Sequence, residues 1–354
     1  MSDKPDENGS KTTKAENTSR AKHNDEDTVL PFSARLRCLI YWLALTAFVS
    51  GLLGVVLYLS LAPSDVLLPI WDGPDRLPRH LVPLSYDIHL DVRLRFNSKA
   101  GAFVTGRMTA RVLCRNRTKT INFYAAGLDL LPSVISIHKI VNGSRSTNRT
   151  DRITEQYRLV DPKSNMWAIV LNQYLVFNQQ YELVIDNFGF DLEENDEKLR
   201  ERGVVVYDYK THLDEPRFGV LIPLSRYVVP GWHEPDFIAP INLTLTRSIT
   251  LRSVYPSKRR TLDNLQYQYR KDIYMPVPPI QLELLAFLLT ELPKVELYGM
   301  ELFARPTGAL QQVGSTQLKT CGLELQYLAI LPANFATTSF CGLTVMNETV
   351  AISL

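Results

Sequence analysis

The run from Cys38 to Ala62, CLIYWLALTAFVSGLLGVVLYLSLA, contains no charged residue and constrains this chain more than any other stretch. A bilayer core is crossed by about 20 apolar residues in a helix, and this run exceeds that length. A cleaved signal peptide would have a shorter apolar part near Met1, whereas 37 residues precede this one. Residues 35–62 are therefore expected to form a transmembrane signal anchor. Lys22, Arg35 and Arg37 lie before it. Asp65, Asp72 and Asp75 follow it, together with Arg76 and Arg79. That asymmetry predicts a cytoplasmic N-terminus and a single-pass type II protein of the plasma membrane with an extracellular C-terminus. The sequons at Asn116, Asn142, Asn148, Asn242 and Asn347 agree with this orientation as glycosylation sites, although Asn8 and Asn17 form sequons on the other side.

Residues 1–34 mix both signs of charge with Ser, Thr and Asn and cannot bury enough apolar surface to fold, so they read as a disordered cytoplasmic tail. After the membrane segment, five prolines between Ala62 and Pro83 mark a stalk, assigned to 63–76. The rest is rich enough in apolar (45%) and aromatic (10%) residues for a large core. A net charge of +2 and the lack of a basic stripe give no footprint for nucleic acid.

From Ser85 the pattern is β. Tyr86, Ile88, Leu90, Val92, Leu94 and Phe96 alternate with polar residues, placing His89 on the polar face. Met108, Ala110, Val112 and Cys114 repeat the alternation, which points Cys114 into the core. Further strands are expected in VISIHKIV, NMWAIVL, YELVID, GVVVYDY, INLTLTRSITL and LLAFLLTEL. Many short strands without long amphipathic helices between them predict a mainly β, antiparallel β-sandwich. The charged stretch DLEENDEKLRERG at 191–203 reads as a solvated loop or short exposed helix.

No catalytic metal motif stands out. His233-Glu234 in VVPGWHEPDF begins like H-E-x-x-H, but Phe237 occupies the place of the second histidine. None of His23, His80, His89, His138, His212 and His233 stands at ligand spacing from another histidine. Cys321 and Cys341 are candidates for a disulfide in an oxidising lumen, leaving Cys114 over.

The order of the pieces is informative. The tail, anchor and stalk are followed by RLPRHLVPLSYDIHLDVRL, IDNFGF, GVVVYDY, SRYVVPGWHEPDFIAPINLTL and LLAFLLTELPKVELYGMELFARPTG. This series resembles the N-terminal part of the aminopeptidase N family, type II membrane zinc enzymes that remove N-terminal residues from peptides. The resemblance runs from about Arg76 to Leu354 and implies a saddle-like β-domain over 77–295. It also implies the incomplete start of a peptidase catalytic domain over 296–354, whose strands would expose apolar faces and edges.

In the family the stretch at 228–237 reads F-P-C-W-D-E-P-A-F, a structural loop. Pro230, Trp232, Glu234, Pro235 and Phe237 keep that pattern, while Gly231 and His233 depart from it. The family's Q-x-E, which lines the substrate pocket, falls on Gly219 and Leu221 when counted back from Trp232 without gaps; a small shift that matches Phe218 to the family's phenylalanine is the other register, and both lack the two polar groups. The glutamate and asparagine of G-A-M-E-N, which grip the substrate amine, fall on Ser339 and Phe340. A hydroxyl cannot supply the charge that pairs with an ammonium.

The family's zinc ligands would lie beyond Leu354, so no cofactor is expected in this stretch. The resemblance thus implies a catalytically inactive aminopeptidase-like module with no catalytic or metal residues, partnered by the membrane and by peptides or a homologous aminopeptidase. The alternatives are an incomplete form of a zinc aminopeptidase and an unrelated adhesion-type β-sandwich.

Overall fold

The computed structural model describes residues 32–61, 76–93, 103–130, 135–145, 156–161, 165–192, 196–211, 213–264, 268–297, 300–305 and 321–348. Residues 1–31 of the expected tail and most of the stalk lie outside them, as do Leu94, Phe96, Asn148, His23 and His212, while residues 32–34, expected in the tail, begin a helix. The chain divides into two units, Met1–Leu61 and Ala62–Leu354.

The first unit contains helix α1 (Phe32–Leu61). Its 19 residues Leu39–Leu57 are long and apolar enough to cross a membrane. No charged residue interrupts those 19 residues, and their apolar side chains run around the whole circumference. Two of the helix hydroxyls bond within it: Thr46 donates to the Leu43 carbonyl at 2.9 Å and Ser50 to that of Ala47 at 3.0 Å.

The second unit is mainly β. Its first half runs β1 (Leu81–Arg93), β2 (Phe103–Cys114), β3 (Thr118–Tyr124), β4 (Ile135–Val141), β5 (Ser144–Arg145), β6 (Gln156–Asp161), β7 (Met166–Leu175) and β8 (Gln180–Asp191). A short helix, α2 (Asp196–Arg202), precedes β9 (Val205–Lys210) and β10 (Pro216–Pro223). Then come β11 (Ala239–Ser248), β12 (Arg252–Val254), β13 (Arg259–Asn264), β14 (Tyr269–Tyr274), β15 (Val277–Ile280) and β16 (Ala286–Thr290). The last five are β17 (Lys294–Leu297), β18 (Met300–Phe303), β19 (Tyr327–Leu331), β20 (Thr338–Phe340) and β21 (Leu343–Asn347).

These strands form four sheets. The largest has the order β13-β14-β11-β1-β2-β8-β4-β5, with β15 on β11. The others are β12-β16-β10-β9, β17-β18-β19-β21-β20 and β3-β7-β6. Two of the sheets are mixed rather than wholly antiparallel, because β1 runs parallel to β11 and β19 runs parallel to both β18 and β21, whereas the pairs in the other two are antiparallel. Side-chain alternation along a strand is the same whichever way its neighbour runs, so the direction of pairing was not written in the pattern.

The alternation itself is explicit in β1. Tyr86, Ile88, Leu90 and Val92 face the core, with Met108, Ala110, Val112 and Cys114 beside them on β2. A register shift between Pro83 and Ser85 flips the phase, so that Leu81 is buried as well.

The expected boundary at 295/296 falls inside β17, and the strands beyond it share a core with the β10 sheet. Phe303, Ala329, Leu343 and Val345 pack with Tyr207, Leu221 and Leu288. The expectation of exposed apolar faces there is not met, because Leu302, Leu328, Ile330 and Met346 on the other face are also buried. Parallel strands covered on both sides read as continuous apolar runs, as YLAIL does, while LTVMN buries two polar residues, Thr344 and Asn347, with its apolar ones. In the charged 191–203 stretch, α2 is a short helix whose last residue turns inward. The Arg202 guanidinium donates to the carbonyls of Tyr227 at 2.9 Å and Gly127 at 2.8 Å, pinning the helix to two loops.

Candidate functional site

The loop after β10 is largely buried from Val228 to Glu234. Gly231 pairs with Tyr124 through two backbone hydrogen bonds of 2.9 Å, and Trp232 is 1% exposed. Glu234 is a tie: its Oε1 accepts the Leu77 backbone N–H at 2.6 Å and the Tyr124 hydroxyl at 3.0 Å. It is thereby occupied in holding the entry to β1, not placed as a general base.

His233 is buried at 1% exposure. Its Nε2 lies 2.7 Å from the Val229 carbonyl, which can only accept, so Nε2 carries the proton. Nδ1 has no hydrogen-bond partner among the described residues and lies 3.7 Å from Glu283 Oε1. Burial drives the pKa of His233 down to about 3, so the ring is neutral at physiological pH. Glu283 is held by Arg226, whose Nε donates to it at 3.2 Å while its guanidinium lies 4.4 Å over the Tyr124 ring.

Gly219 and Leu221 stand in the middle strand β10, paired with Tyr207 and Val205 on β9 and with Thr290 and Leu288 on β16. Leu221 is 1% exposed inside the apolar cluster shared with the last sheet. The face of Gly219 is occupied by Tyr207, whose hydroxyl donates to Thr290 Oγ1 at 2.6 Å. Ser339 and Phe340 lie on the edge strand β20; Ser339 is exposed and Phe340 packs against the same cluster as Leu221. The structure thus gathers these positions around a closed core rather than a polar cleft. Among the described residues no group of three His, Cys, Asp or Glu side chains is placed to hold a metal ion.

A disulfide joins Cys321 to Cys341, and Cys114 is buried with its thiol donating to the Asn116 carbonyl at 3.0 Å. Of the sequons, Asn142 is exposed at the tip of the β4–β5 hairpin, while Asn116 and Asn242 are half-buried. Asn347 is 6% exposed at the end of β21.

A cleft of about 480 Å³ opens where β12, β13 and β17, each the edge of a different sheet, come together. Sequence reasoning missed it. Six cationic side chains line it, Arg247, Arg252, Lys258, Arg259, Arg270 and Lys294, against one acid, Glu301. Its floor is built on Asp272, which is fully buried and accepts from Arg247 Nε at 2.5 Å, from Thr261 Oγ1 at 2.6 Å and from the Ser253 hydroxyl. Burial pushes the Asp272 carboxyl up, but those hydrogen bonds together outweigh it and hold the pKa below the ordinary value. Ser253 in turn accepts from Tyr274 OH at 2.7 Å and from Arg259 Nη1 at 2.8 Å. One signal was present in the sequence: Arg247 falls in phase with Ile241, Leu243 and Leu245 on the buried face of β11. A cation in an apolar register needs a buried partner. In comparisons with protein-family models and with curated proteins, nothing matches the chain.

Proposed function

We propose that this chain is a membrane-tethered, aminopeptidase N-like β-module that binds rather than cleaves. In this reading the second unit is the sandwich-like N-terminal domain of that family with the opening strands of its catalytic domain. The observation that carries the reading is the surroundings of Gly219 and Leu221. Where the resemblance calls for two polar, substrate-lining side chains, Leu221 is sealed in an apolar core and Tyr207 fills the space over Gly219. At the second locus, Ser339 accepts from Thr344 Oγ1 at 3.3 Å and offers no carboxylate for a substrate ammonium.

The disulfide between Cys321 and Cys341 supports an extracellular or lumenal place for the β unit, since such bonds persist outside the reducing cytosol. With the apolar helix ahead of it, this fits a type II orientation. The test is the full-length protein purified in detergent micelles, analysed for bound zinc and for release of a chromophore from aminoacyl p-nitroanilides. The expected result is sub-stoichiometric zinc and no release above a heat-treated control. Stoichiometric zinc with chelator-sensitive release would overturn the reading.

A further inference from the structure

We infer that the turn between β7 and β8 rests on the phospholipid surface in which the anchor sits. Val176 and Phe177 enter the interface, and Arg115, Arg117 and Lys119 meet lipid phosphates. The inference rests on the membrane tether of the proposed reading and takes nothing from its aminopeptidase likeness.

The first argument is an apolar tip that the fold does not use. Phe177 is 68% exposed, Val176 54% and Tyr174 38%. Single exposed apolar side chains are ordinary, but three within four positions make a patch. The backbone holds that patch in place. The Gln179 N–H donates to the Val176 carbonyl at 3.2 Å, and Asn178 takes a φ of 58°, which sets Phe177 at the corner of a tight turn. The Val176 N–H donates to the Tyr181 hydroxyl at 2.9 Å, and the Asn178 N–H to the Cys114 carbonyl at 2.8 Å. Turn corners favour Pro, Gly, Asn, Asp and Ser, so a phenylalanine fixed there calls for a contact from outside the chain.

The second argument selects a lipid surface over an apolar protein groove. Arg115 follows Cys114, to which the turn is bonded, and Arg117 and Lys119 flank Thr118, which pairs with Leu175. All three cations are exposed and stand in no ion pair among the described residues. Arg117 and Lys119 lie over the Tyr174 ring, 4.1 and 4.6 Å from its centroid. A ring contact leaves their N–H donors open. An apolar groove would bury those donors unmet, whereas at a bilayer the aromatic rings sit at headgroup level and the cations donate to phosphate oxygens.

The third argument is where the chain enters the β unit. Leu81, the first residue of β1, pairs with Cys114, the last of β2. The Arg115 N–H donates to the His80 carbonyl at 2.7 Å, and the Cys114 N–H to the Gln179 carbonyl at 3.0 Å. The turn is thus two strand spacings, about 10 Å, from the entry point. Residues 62–75 join helix α1 to Arg76 and span at most about 50 Å. A patch tethered so near a bilayer meets it at a high effective concentration, so a weak surface affinity suffices, whereas a second copy has no such advantage.

The test uses full-length Phe177→Trp protein in phosphatidylcholine nanodiscs, with the parent's emission subtracted to isolate the new indole. Brominated acyl chains in those nanodiscs should quench the indole about twofold and its emission should lie at shorter wavelength. A Leu262→Trp reporter should stay unquenched. The register places Leu262 level with Asp91, about 30 Å along β1 from the entry. Adding Arg115→Glu and Lys119→Glu to the Phe177→Trp protein should remove most of the quenching with an unchanged melting temperature, since both side chains are exposed.

No quenching at position 177, or equal quenching at 177 and 262, would overturn the inference. So would shielding from iodide that grows with protein concentration and needs no lipid, which would give the turn to a second copy. Asn116 and Asn142 lie in sequons at the same end of the sheet, so protein from eukaryotic cells is measured before and after enzymatic removal of glycans. Quenching confined to the glycan-free protein would equally rule docking out. Protein that does not enter nanodiscs would sink the tether and this inference together, whereas entry without quenching leaves the tether standing.

Discussion

The aromatic ring of Tyr207 lies against the backbone of Gly219 on the neighbouring strand, so closely that a Cβ at 219 would overlap its ring and hydroxyl. Glycine is needed here for proximity. Gly219→Ala should therefore destabilise the β unit by overpacking, by about 1–3 kcal/mol. In a Tyr207→Leu background the cost of the same change should shrink. A double-mutant cycle from urea denaturation checks this, and additive effects would mean that the contact is not tight.

Glu234 accepts two buried donors, Leu77 N–H and Tyr124 O–H, at 2.6 and 3.0 Å. Glu234→Ala strands both and is expected to cost about 2–3 kcal/mol, whereas Glu234→Gln keeps an acceptor and should cost about 1 kcal/mol. Urea midpoints of the two variants, compared with the parent, give the ranking. Equal losses would show that the charge and not the acceptor matters.

His233 makes stability pH-dependent in a definite direction. Its pKa is near 6.5 when unfolded and about 3 when folded, so the unfolded chain binds the proton first as pH falls. Stability is complete above about pH 6.5 and declines below it, by about 2 kcal/mol between pH 6.5 and pH 5. His233→Met removes the titrating group at similar volume. Melting curves across that interval should lose most of their slope in the variant, and a retained slope would place the proton uptake elsewhere.

The bond between Cys321 and Cys341 closes a sequence separation of 20 residues. By loop-closure entropy such a link stabilises by about 3 kcal/mol. Reduction with dithiothreitol should lower the melting temperature of the parent, and a Cys321→Ser variant should begin at that lower value and not respond. Hydrogen exchange is expected to rise first in β20, which directly precedes Cys341.

What could be read in the sequence was local. The alternation from Tyr86 to Val92 and from Met108 to Cys114 gave two buried strand faces, because period two depends on one strand alone. The helix of Leu39–Leu57 was equally plain, since length and lack of charge suffice. What could not be read was long-range. The parallel match of β1 to β11 joins distant segments with no mark in either. The cationic cleft collects residues from β11 to β19, none of which forms a motif with its sequence neighbours. Gly219 and Leu221 looked like an eroded pocket by resemblance, but only the register with Tyr207 and Leu288 shows what fills the space.

The pairing of β1 with β11 also sets a timetable for biosynthesis. Asp87 and Asn242, joined by a hydrogen bond of 2.6 Å across that pair, are 155 residues apart. Ribosomes add about 5–20 residues per second, so the first strand waits on the order of ten seconds for this neighbour to be made. During that interval its edge is open to any other nascent strand. Slowing translation between Leu81–Arg93 and Ala239–Ser248 should therefore lower the yield of native protein in the cell.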